Sequence, residues 1–175
     1  MLTLSLFWDE MICYENYYGK LYKGVDKELM NRLTLARNVQ FFSEFDDPKI
    51  LGIRSDGIGR DIVAGFDAYI NGTQKKKFRL FSGHDTGVYA HMILLKMMNM
   101  TCLIDLYNGK KVDGPCEEIP GFASQFIHEL AIKDGSYYVR TLFNNVPILV
   151  CDVAGYCKYE EWKDRFSKLT FMEPK

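Results

Sequence analysis

Lys77-Phe78-Arg79-Leu80-Phe81-Ser82-Gly83-His84-Asp85-Thr86 is the stretch on which the reading of this chain turns. Residues 77 to 81 predict a strand, and the run from Thr86 to Asn99 predicts a helix. Ser82-Gly83-His84-Asp85 therefore falls at a strand end, against a helix N-terminus. Backbone N–H groups without intrahelical partners, and the positive end of the helix dipole, make such a junction favourable for anions. A histidine there can bind a phosphate oxygen, and the neighbouring aspartic acid can give a proton to a leaving group. The same aspartate also suits a plain capping role at the start of an apolar helix.

The rest of the chain sets this junction in a mixed α/β pattern. Residues 8 to 20 begin as an amphipathic helical turn and run into a Tyr- and Gly-containing stretch. From Asp26 to Phe45, Leu29, Met30, Leu33, Ala36, Val39 and Phe42 recur at three- and four-residue intervals, predicting a helix with Asp26 as its cap. Asp46-Asp47-Pro48 stops or turns it, Ile50 to Gly59 reads as a connection, and Arg60 to Ile70 predicts a second amphipathic helix. Asn71-Gly72 closes that helix. Beyond the junction, residues 103 to 107 predict a short strand and Lys110 to Pro120 a loop. Phe122 to Ile132 and Tyr137 to Phe143 predict a hairpin around Asp134-Gly135, and Tyr159 to Leu169 a closing helix.

Several conspicuous residues have structural readings. His91 lies three and four residues from Val88 and Leu95, as a packed helical histidine would. His128 lies within a predicted strand beside Glu129, which points to a charge-paired structural role. Met92, Met97, Met98 and Met100 suit adaptable core filling. Lys75-Lys76-Lys77 reads as a solvated loop entering the strand.

At 175 residues, 47% of them hydrophobic, the chain suits one domain or part of a larger one. Lys plus Arg number 22 against 23 Asp plus Glu, so no basic excess exists to neutralise a nucleic-acid backbone. No apolar stretch approaches the roughly 20 residues that span a bilayer, and Met1 to Phe7 lacks the basic start of a signal peptide. The sequons Asn71-Gly72-Thr73 and Asn99-Met100-Thr101, both at predicted helix ends, permit glycosylation. Cys13, Cys102, Cys116, Cys151 and Cys157 contain no Cys-x-x-Cys pair and have no histidines at ligand spacing, so neither a metal nor an organic cofactor is suggested.

Phe81-Ser82-Gly83-His84-Asp85-Thr86 resembles the second signature of the histidine acid phosphatases. The resemblance continues in order, roughly from Trp8 to Phe166. Trp8 to Asn16 is similar to a segment of the family's helical subdomain. Gly121 to Leu130 resembles its strand with an aromatic-Ala-Ser start and a Glu-Leu end, and Tyr137 to Asn145 the hairpin partner. Cys151, Cys157 and Glu160-Glu161-Trp162 are similar to its C-terminal cysteine loop and following helix.

What the resemblance implies is a histidine-phosphatase-like central sheet, here its C-terminal part, with a helical subdomain. Residues 8–70 would be mostly that subdomain and its return, and 77–175 the sheet portion. The implied activity is hydrolysis of phosphomonoesters through a phosphohistidine, with His84 binding phosphate and Asp85 protonating the departing alcohol. It further implies a secreted or lysosomal protein whose targeting segment lies outside this chain, a disulfide between Cys151 and Cys157, and a bridge from Cys13. The family partner of that last cysteine falls where this chain has Gln125, which leaves Cys116 or Cys102 as substitutes. Homodimerisation stays open. The family's nucleophile belongs to an Arg-His-Gly-x-Arg-x-Pro motif that is absent here; the histidines are His84, His91 and His128. A non-catalytic relative that binds anions or a protein, or a truncated gene product, is the alternative expectation.

Overall fold

The computed structural model of the chain describes residues 2–45, 48–112, 116, 120–151 and 155–170. Six helices and a four-stranded antiparallel sheet give a mixed α/β fold, and the chain divides into two units, each discontinuous in sequence.

The first unit, Met1–Asp46 with Met97–Ile119, contains α1 (Leu2–Tyr18), α2 (Lys27–Phe45) and α5 (Met100–Tyr107), the last numbered by its place in the chain. Asp26 caps α2 as its sequence predicts, with its Oδ1 accepting from the Leu29 amide at 2.7 Å. Trp8, Met11 and Met30 form a buried cluster, and Ile12, Leu21, Val25 and Leu33 pack against it. The Trp8 indole N–H donates to Thr34 Oγ1 at 2.9 Å, so the one polar atom of that ring stays paired inside the packing.

The segment 103–107 was expected as a strand and is helical, forming most of α5. Asn99 decides this: its side chain accepts from the Cys102 amide at 2.9 Å, capping a helix that packs on α2. Cys102 pairs with Cys116, with Cα atoms 5.9 Å apart. Cys13 is free and exposed, so the expected bridge from Cys13 to either of those cysteines is not formed.

The second unit, Asp47–Lys96 with Pro120–Lys175, contains α3 (Pro48–Ile70), α4 (Asp85–Leu94), the sheet and α6 (Tyr159–Thr170). The predicted connection at 50–59 is instead the first half of α3. Pro48 stands at the first helical position, where its fixed φ and missing N–H cost nothing. An ion pair of Arg60 with Asp56, one turn apart, adds local support.

The sheet comprises β1 (Phe126–Lys133), β2 (Ser136–Phe143), β3 (Val146–Ile148) and β4 (Cys157–Lys158). Lys133 pairs with Ser136 around Asp134-Gly135, whose φ angles of 50° and 74° are those of a type I′ turn. Asn144-Asn145 makes a second such turn into β3, with φ of 48° and 67°. β2 pairs with β1 on one side and with β3 and β4 on the other, so β1 is an edge strand. Cys151 and Cys157 form a disulfide, as the resemblance implies, and Cys157 sits opposite Val139 of β2.

Residues 77 to 81 are not a strand. They pair with no strand among the described residues, and Phe78 and Leu80 are 79% and 77% exposed. An isolated strand has no partner for its N–H and C=O groups, so apolar alternation alone does not make one. What fixes the segment is Arg79: its Nη1 donates to the Asp61 carbonyl at 2.9 Å and lies 3.3 Å from the Asp61 carboxylate. The helix expected from Thr86 to Asn99 is correspondingly shorter and ends at Leu94, after which Lys96 takes a left-handed φ of 56°.

Candidate functional site

His84 and Asp85 stand where the sequence places them, at the start of α4. His84 is the N-cap, in extended backbone, and its side chain makes no capping bond. Asp85 is the first helical residue, and its Oδ1 accepts from the Thr86 amide at 2.7 Å. One carboxylate oxygen thus holds the next amide in the first turn, but the N-cap position itself belongs to His84, so Asp85 is not the plain cap its place before an apolar helix allowed. Both side chains face solvent, as do Ser82 and Gly83 before them. A Cβ built on Gly83 would meet no atom within 4 Å, so the loop in front of the pair is open.

The pair therefore has two of the parts that phosphate-ester chemistry needs. The exposed imidazole can accept or donate, the next residue along the chain carries a carboxyl, and the helix dipole favours an anion at that end. Arg79, the nearest arginine along the chain, is committed to Asp61 rather than to this opening, and its guanidinium would lie 3.1 Å from a Cβ at Gly65. A small hollow in the first unit, lined by Asn31, Thr34, Leu35 and Leu106, holds no titratable group.

The other two histidines form a second constellation that the sequence did not join. His91, on α4, is 6% exposed, as its helical spacing suggested. His128, on β1, faces the same interior, and the two ring centroids lie 5.6 Å apart. Phe126, Phe166 and Trp162 surround them, with Trp162 and Phe166 stacked at 4.4 Å. His128 Nδ1 lies 3.0 Å from Thr141 Oγ1, which also accepts from the Trp162 indole at 3.1 Å. The Nε2 atoms of both histidines are buried without a hydrogen-bond partner. Burial pushes His91 down to about 4. Burial, with the His91 ring adding to it, pushes His128 down to about 3.

His128 is not charge-paired with Glu129, contrary to expectation. Neighbours in a strand point to opposite faces, and Glu129 turns outward to Arg140 Nε and to the Tyr156 hydroxyl at 3.1 Å. The Arg140 hydrogen bond, helped by that of Tyr156, holds the Glu129 carboxyl below its usual value against the opposing effect of burial. A second ionic cluster joins α3 to α6, where Asp67 receives Tyr159 at 2.8 Å and Lys163 at 2.9 Å. Burial works to raise Asp67, but those two donors together hold it below its usual value. The helical spacing of Asp67 and Lys163 gave no sign of this, because each looks like an ordinary surface charge on its own helix.

Among the described residues, no group of three or more His, Cys, Asp or Glu side chains is arranged to hold a metal ion. Nor is any helix among them long and apolar enough to cross a membrane. No protein-family model matches the chain, and no curated protein matches it.

Proposed function

We propose that this chain supplies the phosphate-binding histidine and the proton-donating aspartic acid of a histidine-type acid phosphatase, acting on phosphomonoesters in a secreted or lumenal setting. The observation that carries the proposal is the placement of His84 and Asp85, adjacent, exposed and open to solvent at the N-terminus of α4. Two disulfides support passage through an oxidising compartment. The ordered resemblance from Trp8 to Phe166 supplies the family, and the sheet of that family would be completed by strands other than those described.

In this reading the phosphate oxygens lie against His84 and the helix start, where a protonated imidazole gives a charge-assisted hydrogen bond. Asp85, carrying a proton, gives it to the alcohol oxygen as the P–O bond breaks, so its free oxygen must face the leaving group. Phosphate is taken by a second histidine. His91 is buried and His128 half-buried among aromatic rings, both with Nε2 closed off from solvent, which leaves them unsuited to that step, so the nucleophile would come from residues other than these 175. A binding-only relative is the second reading, favoured by the absence of an Arg-His-Gly segment.

Two measurements test the proposal. Titrating the chain with inorganic phosphate should produce a saturable shift of the His84 ring protons in an NMR spectrum. His84→Ala should abolish phosphate binding at the helix start. In the protein that carries the nucleophile, Asp85→Asn should lower kcat about 10²- to 10⁴-fold, the usual contribution of a general acid, with phosphate affinity little changed. Near-normal turnover of the Asp85→Asn variant on an ester with a poor leaving group would remove Asp85 from the mechanism. Saturable phosphate binding at His84, with no upstream nucleophile in the native protein, would favour the binding-only reading.

A further inference from the structure

We propose that Asn71 is an N-glycosylation site and that Asn99, the other sequon asparagine, stays unmodified. The two tripeptides look equivalent as sequence, each with threonine at the third position. The structure separates them by what their backbones and side-chain amides are doing.

Asn71-Gly72-Thr73 begins where α3 ends at Ile70. All three residues are exposed and non-helical, and the Asn71 side chain makes no hydrogen bond among the described residues. Gly72 adopts a left-handed φ of 71°, and its N–H bonds to the Tyr69 carbonyl at 3.1 Å, turning the chain off the helix. A Cβ at Gly72 would meet nothing within 4 Å, so the space beside Asn71 is open to a bulky substituent. The Asn71 N–H bonds to the Asp67 carbonyl at 2.9 Å, and the Thr73 N–H and hydroxyl both donate to the Ala68 carbonyl at 2.9 and 3.0 Å. Presenting the tripeptide therefore means opening this exposed turn at the end of α3, while the Asn71 amide group itself has no bond among the described residues to give up.

Asn99-Met100-Thr101 is held differently. Asn99 Oδ1 accepts from the Cys102 amide at 2.9 Å, and the Asn99 N–H lies 3.4 Å from Cys102 Sγ. Met100 and Thr101 are already in the first turn of α5, so the acceptor tripeptide is coiled rather than extended. The Cys102–Cys116 disulfide anchors the same turn. Glycosylation requires the Asn amide nitrogen to leave its conjugated plane and the tripeptide to lie open. The α5 cap opposes both.

In the transfer, Asn71 Nδ2 attacks the anomeric carbon of an oligosaccharide carried on a lipid pyrophosphate. The N–C1 bond forms, the C1–O bond to phosphate breaks, the pyrophosphate leaves with its lipid, and the amide proton passes to a base of the transferase. The inference depends on passage through a glycosylating compartment and not on phosphatase chemistry, so its test reads no activity.

The full chain is translated behind a cleavable signal peptide in the presence of microsomes. The protease-protected product is treated with peptide N-glycosidase in ¹⁸O water and mapped by mass spectrometry. The expected result is ¹⁸O-labelled Asp at position 71 alone, one glycan on the intact chain, its loss in Asn71→Gln and its retention in Asn99→Gln. Label at position 99 in the unmutated chain, or a protected chain with neither position labelled, overturns the inference. The Asn71 side chain is exposed and makes no hydrogen bond among the described residues, so its Gln variant keeps the backbone bond to Asp67 and folds as the parent does; Thr73→Ala, which leaves Asn71 in place, should also lose the glycan.

Discussion

At the residue scale, the three histidines occupy two environments, and what could not be read in advance was the pairing of two of them. His84 could be placed because its neighbours in sequence carry the signal. The contact between His91 and His128 joins a helix to a strand, and no local spacing reveals a pair made by folding. Its consequence is a pH dependence of stability. Both folded values, about 4 and about 3, lie below the unfolded value near 6.5. The unfolded chain therefore takes up protons that the folded one refuses as pH falls below about 6.5. Stability is complete above that pH and declines on acidification, by at most about 1.4 kcal/mol per pH unit for each histidine. No carboxylate or cation shifts either ring; the Asp67–Lys163–Tyr159 and Glu129–Arg140–Tyr156 clusters have their own partners. Thermal unfolding followed at pH 7, 6 and 5 should give a falling Tm, and His91→Leu should flatten the slope. An unchanged slope in that variant would assign the acid sensitivity elsewhere.

At the scale of elements, helices and turns with strong local chemistry were legible, and those made by their surroundings were not. Asp26 before α2 and Asp134-Gly135 between β1 and β2 announce themselves, since a cap and a type I′ turn each demand particular residues. Asp26→Ala should cost about 1 kcal/mol. Gly135→Ala, placing a Cβ at φ 74°, should cost about 1–2 kcal/mol. Urea unfolding monitored by circular dichroism reads both as lower midpoints with unchanged slope, and a Gly135→Ala midpoint equal to the parent would count against the turn assignment. Residues 103–107 were misread because a short apolar run fits a helix or a strand equally well, and the Asn99 cap tips the balance. Residues 77–81 were misread for the opposite reason: their pattern suits a strand, but pairing is a property of neighbours.

For the whole molecule, the mixed α/β class was legible, while the exchange of segments that makes both units discontinuous was not. Alternating helical and strand-like patterns carry the class, but nothing in the order of elements says that α5 packs on α2. The second unit exposes Phe78 and Leu80 on backbone that pairs with no strand among the described residues, where β1 is also an edge of the sheet. Unpaired apolar strands and edges template association. The chain by itself should show a concentration-dependent rise in mass by light scattering, which Phe78→Lys combined with Leu80→Lys should suppress. A monomer at all concentrations in the parent chain would contradict that expectation.

The discontinuity of the units has a consequence for how the chain is made. A ribosome delivers α1 and α2 first, yet the unit they belong to is unfinished until Met97–Ile119 has emerged. By then α3 and α4, which belong to the second unit, are already outside and waiting for Pro120–Lys175. Each unit thus spends part of synthesis with a helical surface uncovered, and neither can be cut out as one continuous piece. A nascent chain stalled near residue 96 would hold incomplete parts of both units, and it is the stage at which a holding chaperone would find most to bind.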